Sequence, residues 1–197
     1  MKPAKWLIPL VCASTSLLAQ STNDLNGLVS VAAHYVSSGV AGTHTPMVLS
    51  LNKIVGDNGS GTPEFLMTKA TDVQHWTFLY RTNAARPEDA SPDAKPKLHP
   101  TAQAECSLGV FKNFHFSDKP ITGTKSLEDT WVAVSLDNAI LNLNANGYIR
   151  GFSGVSMQRP DLPNWPDEYV YVFTCPWERR KVAISCQTGA LTWSYGY

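Results

Sequence analysis

Residues 168–197 read EYVYVFTCPWERRKVAISCQTGALTWSYGY, and this stretch decides the fold class. Three runs rich in β-branched and aromatic residues, Glu168–Cys175, Lys181–Cys186 and Ala190–Tyr197, are separated by segments holding Pro176 and Gly189. Such runs, broken by turn residues, predict strands of an antiparallel meander. In the last run Leu191, Trp193, Tyr195 and Tyr197 alternate, the period of a strand that buries one face. The last strand of an outer-membrane barrel has a similar ending. A barrel needs that alternation in every strand, and the helical segments upstream argue against it.

Working back from this stretch, the loop DLPNWPDE (161–168) precedes the meander and Tyr148–Met157 reads as a further strand. Before that, Ser135 is placed to cap a helix whose Leu136, Ala139, Ile140 and Leu143 share one side, and Gly147 closes it. In the first half, Leu25, Leu28, Val29, Ala32 and Val36 show helical spacing over Asn23–Val36. A second helix is expected from Thr45 as cap and Pro46 in the first turn, with Met47, Val48, Leu51, Ile54 and Val55 as its apolar face. GDNGSGTP (56–63) would stop it. Glu64–Ala70 and His75–Arg81 follow as strands, the latter alternating Trp76, Phe78 and Tyr80. Thr82–Thr101 is a long polar loop, Cys106–Ser117 another strand-like run, and Asp118–Asp129 a connection.

Laid over each other, the halves match at Ser50-Leu51-Asn52 and Ser135-Leu136-Asp137, at His75–Phe78 and Glu168–Tyr171, and at Cys106–Gly109 and Cys186–Gly189. This predicts a duplicated unit of one helix and three strands. The expected fold is therefore α+β: two αβββ units, each a helix packed on an antiparallel sheet, with an extra N-terminal helix. The division would be 1–19 as signal, 20–119 as the first unit, 120–129 as linker and 130–197 as the second unit.

The helix SLDNAILNLNANGY, the strand EYVYVFTC and the ending ISCQTGALTW make Ser135–Leu191 resemble a PepSY-type domain, within the broader cystatin-like class. That family typically finishes a strand with Val-Asp-Ala, one variable residue, then Thr-Gly and an aliphatic position. Thr188-Gly189 and Leu191 fit this ending, and Ile184-Ser185-Cys186 replaces its first three residues. The first half keeps only Gly109. The resemblance implies a helix on a twisted antiparallel sheet, no catalytic residues to carry over, and a role among propeptides and exported modules that restrain secreted proteases.

The N-terminus supports export. Lys2 and Lys5 precede an apolar stretch from Trp6 to Ala13, and Ser16-Leu17-Leu18-Ala19 ends in a small residue suited to cleavage before Gln20. Retention as an anchor is the competing reading. Spanning a bilayer takes about 20 predominantly apolar residues, and Pro9, Ser14, Thr15 and Ser16 interrupt a shorter run. Cleavage removes two lysines and no acid, so 14 of 16 basic residues remain against 16 acidic ones, a net charge of −2. That balance gives no electrostatic ground for nucleic acid or an anionic membrane as partner.

Three of the four cysteines lie beyond the signal: Cys106, Cys175 and Cys186. An exported chain sits where disulfides persist. A hairpin turning near Arg180 would place Cys175 and Cys186 opposite each other, so a disulfide between them is expected. Cys106 is then either a buried thiol or a site of intermolecular pairing.

Residues that could carry chemistry are sparse. The histidines, at 34, 44, 75, 99 and 115, have no metal-binding spacing, so no metal or other cofactor is expected. Asp57-Asn58-Gly59-Ser60-Gly61 resembles part of a calcium loop but lacks the distal Glu. Asp161, Asp167 and Glu168 lie among prolines and read as a loop. Binding has better support. Trp165 sits between two prolines, and Trp177, Arg179 and Arg180 crown the hairpin, the residue types enriched at interface hot spots. The expected function is an exported, non-catalytic binding module that restrains a secreted protease by occlusion. The rival readings are a self-associating envelope protein, joined through sheet edges or Cys106, and an enzyme of unassigned type.

Overall fold

The computed structural model describes residues 25–40, 49–60, 65–82, 100–127, 132–163, 165 and 167–197. The expected signal at 1–19 lies outside them. Helix α1 (Leu25–Val40) is followed by strands β1 (Ser50–Asp57), β2 (His75–Arg81), β3 (Thr101–Ser107) and β4 (Val110–Ser117). A two-residue strand β5 (Thr124–Lys125) leads to helix α2 (Leu136–Ala145). Strands β6 (Gly154–Pro160), β7 (Val170–Cys175), β8 (Arg180–Ser185) and β9 (Leu191–Gly196) complete the order. The strands form one nine-stranded sheet in the order β4-β3-β2-β1-β6-β7-β8-β9, with β5 paired to β6 beside that path. Every pairing is antiparallel.

This corrects the expected two αβββ units with an extra helix. Two helices are present among the described residues, and four strands of the main path follow each one. The meanders join where β1 runs antiparallel to β6, with Ile54 opposite Met157 and Val55 opposite Ser156.

The largest departure is at Thr45–Val55. Residues 45–48 are outside the described residues, and Ser50–Asp57 is a strand where a helix was expected. Its register against β2 shifts between Leu51 and Lys53, so Asn52 is an inserted residue. A bulge of this kind puts Leu51 and Ile54, three apart, on the same buried face, which imitates helical spacing. The inserted Asn52 is itself buried, and its Oδ1 accepts a hydrogen bond from the Arg81 backbone N–H at 3.2 Å.

The helices cover one face. α1 packs on β3 and β4, and α2 on β8 and a short 3-10 turn at Ala70–Asp72. Leu25, Leu28, Ala32 and Val36 of α1 meet the inward alternation Trp76, Phe78 and Tyr80 in one core, which continues through Phe173, Val182 and Ile184 to Leu136 and Leu143 of α2. Ser135 caps α2 as expected, its Oγ accepting from the Asn138 N–H at 3.3 Å. Glu64–Ala70, expected as a strand, makes only a bridge from Met67 to Phe152, within the described residues 65–70. The run Cys106–Ser117 divides at a two-residue turn: Ser107 pairs with Val110, while Leu108 (φ 50°) and Gly109 (φ 78°) both lie in the left-handed region. That is the turn whose twist suits a tight hairpin. Between the halves, Thr124 pairs with Pro160, Leu127 is buried, and Arg81 Nη2 donates to the carbonyls of Ile121 and Thr124.

Candidate binding surface

With the helices on one side, the strand residues of opposite parity form a second face that no described helix covers. Across β6, β7, β8 and β9 it carries Ser156, Val172, Ala183 and Trp193 in successive register, with Lys53 and Val55 from β1 alongside. Val170, Val172 and Ala183 form a small apolar cluster there, with Trp193 packed against it. The Trp165 loop folds onto this cluster. The Trp165 and Trp193 ring centroids are 3.7 Å apart, and Trp193 stacks on Tyr195 at 5.2 Å. Trp165 is thus half-buried as the cover of a sheet edge, and its aromatic area is largely spent within the fold.

The other sequence-selected tryptophan behaves differently. The turn between β7 and β8 spans Pro176–Arg179, with Cys175 opposite Arg180. The Arg179 N–H donates to the Pro176 carbonyl at 3.2 Å, and Arg179 adopts φ 51°, a left-handed conformation unusual for a residue with a side chain. Trp177 is 63% exposed, and the Arg150 guanidinium lies 5.7 Å from its ring centroid. A cation near an exposed indole attracts the ring by about 0.5–1 kcal/mol, which biases Trp177 toward this pose. Arg180 turns back to donate to Ser194 Oγ at 3.1 Å and braces β8 against β9. Of the four expected binding residues, Trp177 and Arg179 occupy the tip, Arg180 braces it, and Trp165 belongs to the sheet face. Arg150 was missed from the sequence, because nothing in the order of residues announces that the segment after α2 reaches this hairpin.

The expected Cys175–Cys186 disulfide is not formed: Cys106, Cys175 and Cys186 are free, buried thiols. The turn falls before Arg180 rather than around it, so Cys175 sits at the tip end of the hairpin. Cys186 follows Ser185, which pairs with Val170 at the far end. Burial pushes all three thiols up. Cys175 is raised to about 12 by burial and then by the charge of Glu178. Such thiols are poor nucleophiles, and Cys106 is not on the surface for intermolecular pairing.

The remaining candidates are occupied within the fold. His75 Nδ1 lies 3.4 Å from Asp57 Oδ2. Asp57 Oδ1 and Asn58 Oδ1 accept from the backbone N–H groups of Gly59 and Ser60, so this fragment closes as a turn. Asp167 is gripped by Arg159 through two hydrogen bonds and by Lys125 at 3.1 Å, which together hold its carboxyl below the usual range. Glu168 accepts from Ser185 Oγ. Among the described residues no group of three or more His, Cys, Asp or Glu side chains is placed to hold a metal ion. His44 and His99 lie outside them. No described helix is long and apolar enough to cross a membrane.

Fold and surface together define a mostly antiparallel β protein: a wide sheet with two helices on one face and a braced, tryptophan-tipped hairpin joining β7 and β8. No family model, curated protein or solved structure matches the chain.

Proposed function

We propose that this chain is an exported, non-catalytic binding module that grips a protein partner through the β7–β8 hairpin tip. The observation that carries the reading is Trp177: a large aromatic ring, mostly in solvent, posed by Arg150 on a turn that accepts a strained Arg179. Holding a ring in its binding pose lowers the ordering cost of association, and Trp with Arg is the commonest hot-spot chemistry. Arg150 and Arg179 favour an acidic rim on the partner. The resemblance of Ser135–Leu191 to PepSY-type modules supports a secreted protease as that partner, restrained by occlusion.

Affinity capture from the native host's exported fraction tests this. One protein should be recovered by the wild-type chain and lost with Trp177→Ala, a substitution expected to weaken binding at least about 30-fold, as for a hot spot worth about 2 kcal/mol. Equal recovery by both chains would refute the tip as the site. The competing reading is self-assembly through β4 and β9, the strands that end the sheet order. It predicts concentration-dependent size in exclusion chromatography, unaffected by reductant because the thiols are buried.

A further inference from the structure

The helix-free face holds a second feature, at the junction of the two meanders, which reaches as far as Thr174 and Lys181, one pair before the Cys175–Arg180 pair that closes the hairpin turn. A depression of about 190 Å³ opens over β1, β6, β7 and β8, and Trp177 lines no part of it. Its floor includes Val55 and Val172. Lys53, Lys181, Ser156, Thr174, Gln158 and Tyr195 also line the depression. The register explains the convergence. Lys53 is opposite Gln158, Ser156 is opposite Val172, and Thr174 is opposite Lys181, so all these side chains leave the same face.

Two cations face one depression without an acid between them. Carboxylates outside the depression are engaged elsewhere: Asp57 by His75 and the Gly59 N–H, Asp167 by Arg159 and Lys125, and Glu168 by Ser185. Among the described residues, neither ammonium group makes an ion pair or side-chain hydrogen bond. Lys53 is also partly withdrawn from water, and that burial, followed by the charge of Lys181, lowers its pKa. A half-buried ammonium facing a like charge is unfavourable on its own, and an anion between the two would relieve both terms. A depression of this volume has room for a group of several heavy atoms. The floor of Val55 and Val172 favours an anion that brings methylene groups with it.

We propose that this depression is a carboxylate-binding site, in which Lys53 and Lys181 bracket an alkyl carboxylate whose stem rests on Val55 and Val172. Ser156, Gln158 and Thr174 supply neutral hydrogen bonds to the same group. The side chain of a glutamate and a free short-chain acid share this chemistry.

Side-chain NMR of lysine-labelled protein, titrated with defined probes, separates these sources and tests the site. Ac-Ala-Glu-Ala-NH2 should shift the Lys53 and Lys181 ammonium signals saturably, and Ac-Ala-Gln-Ala-NH2 should not. If butyrate matches the glutamyl peptide at equal concentration, the site takes free acids. If the peptide binds at least about tenfold tighter, it takes a side chain. In Lys53→Met and Lys181→Met, which keep the aliphatic stems, the shift of the remaining lysine should be lost while the circular dichroism spectrum is unchanged. Chloride and inorganic phosphate acting as strongly as the carboxylates would overturn the proposal in favour of a plain screened positive patch. So would shifts that survive in the methionine variants, or no shift with any probe.

Discussion

At the scale of single residues, the structure makes claims that stability measurements check. Gly56 lies under the Trp76 ring, and a Cβ there would come within 2.6 Å of the ring and 2.7 Å of a Val73 methyl. Gly56→Ala should therefore lower the urea-derived stability by about 1–3 kcal/mol, the usual cost of overpacking. Leu108 makes the opposite case. It is an exposed leucine held at φ 50° in a turn where the left-handed region favours glycine, so Leu108→Gly should raise stability by about 1 kcal/mol. Ionisation gives a third test. Burial raises the thiols of Cys106, Cys175 and Cys186 and the phenols of Tyr80 and Tyr171. The folded chain keeps these protons where the unfolded chain releases them. Their contribution is complete below the ordinary thiol value of 9.0 and declines as pH rises toward the 12 or so of Cys175. Lys53, with its lowered pKa, acts in the opposite sense but is one group against five. The urea midpoint should hold between pH 7 and 8 and fall steadily above pH 9, as seen by tryptophan fluorescence at each pH. In the native state at pH 8 the three thiols should resist a disulfide reagent, and all should react once urea unfolds the chain.

At the scale of elements, legibility followed periodicity. β2 was readable because Trp76, Phe78 and Tyr80 alternate without interruption, and α2 because Ser135, its apolar stripe and Gly147 agree. β7, β8 and β9 were readable as strands, but their register was not. A turn displaced from Arg180 to Pro176–Arg179 carried Cys175 and Cys186 to opposite ends of the hairpin. β1 carries helical spacing in the sequence because the bulge at Asn52 puts Leu51 and Ile54, three apart, on one face. That spacing hides the β1–β6 junction, and with it the continuous sheet and the Lys53–Lys181 depression. Hydrogen exchange tests the junction. Amides of β1 and β6 should exchange with free energies similar to those of β7, since central strands of one sheet open together. Fast exchange along β1 beside a protected β7 would contradict the pairing of Val55 with Ser156.

At the scale of the whole molecule, the helices bury one face of a nine-stranded sheet and leave the other to carry polar and aromatic side chains. The hairpin tip stands at one end of that arrangement, with Arg150 arriving from beyond α2 to pose Trp177. A continuous sheet predicts one cooperative unfolding transition, with calorimetric and van't Hoff enthalpies in agreement. Two separated transitions would show that the meanders fold independently. The central claim is that Trp177 is the point of contact with a partner, and photo-crosslinking from that position tests it most directly. A photoreactive residue at 177, compared with one at the equally exposed Leu141 of α2, should give a single discrete adduct with a partner protein from the tip and none from the helix. No adduct from 177, equal labelling from both positions, or an adduct only with the chain itself would contradict the account.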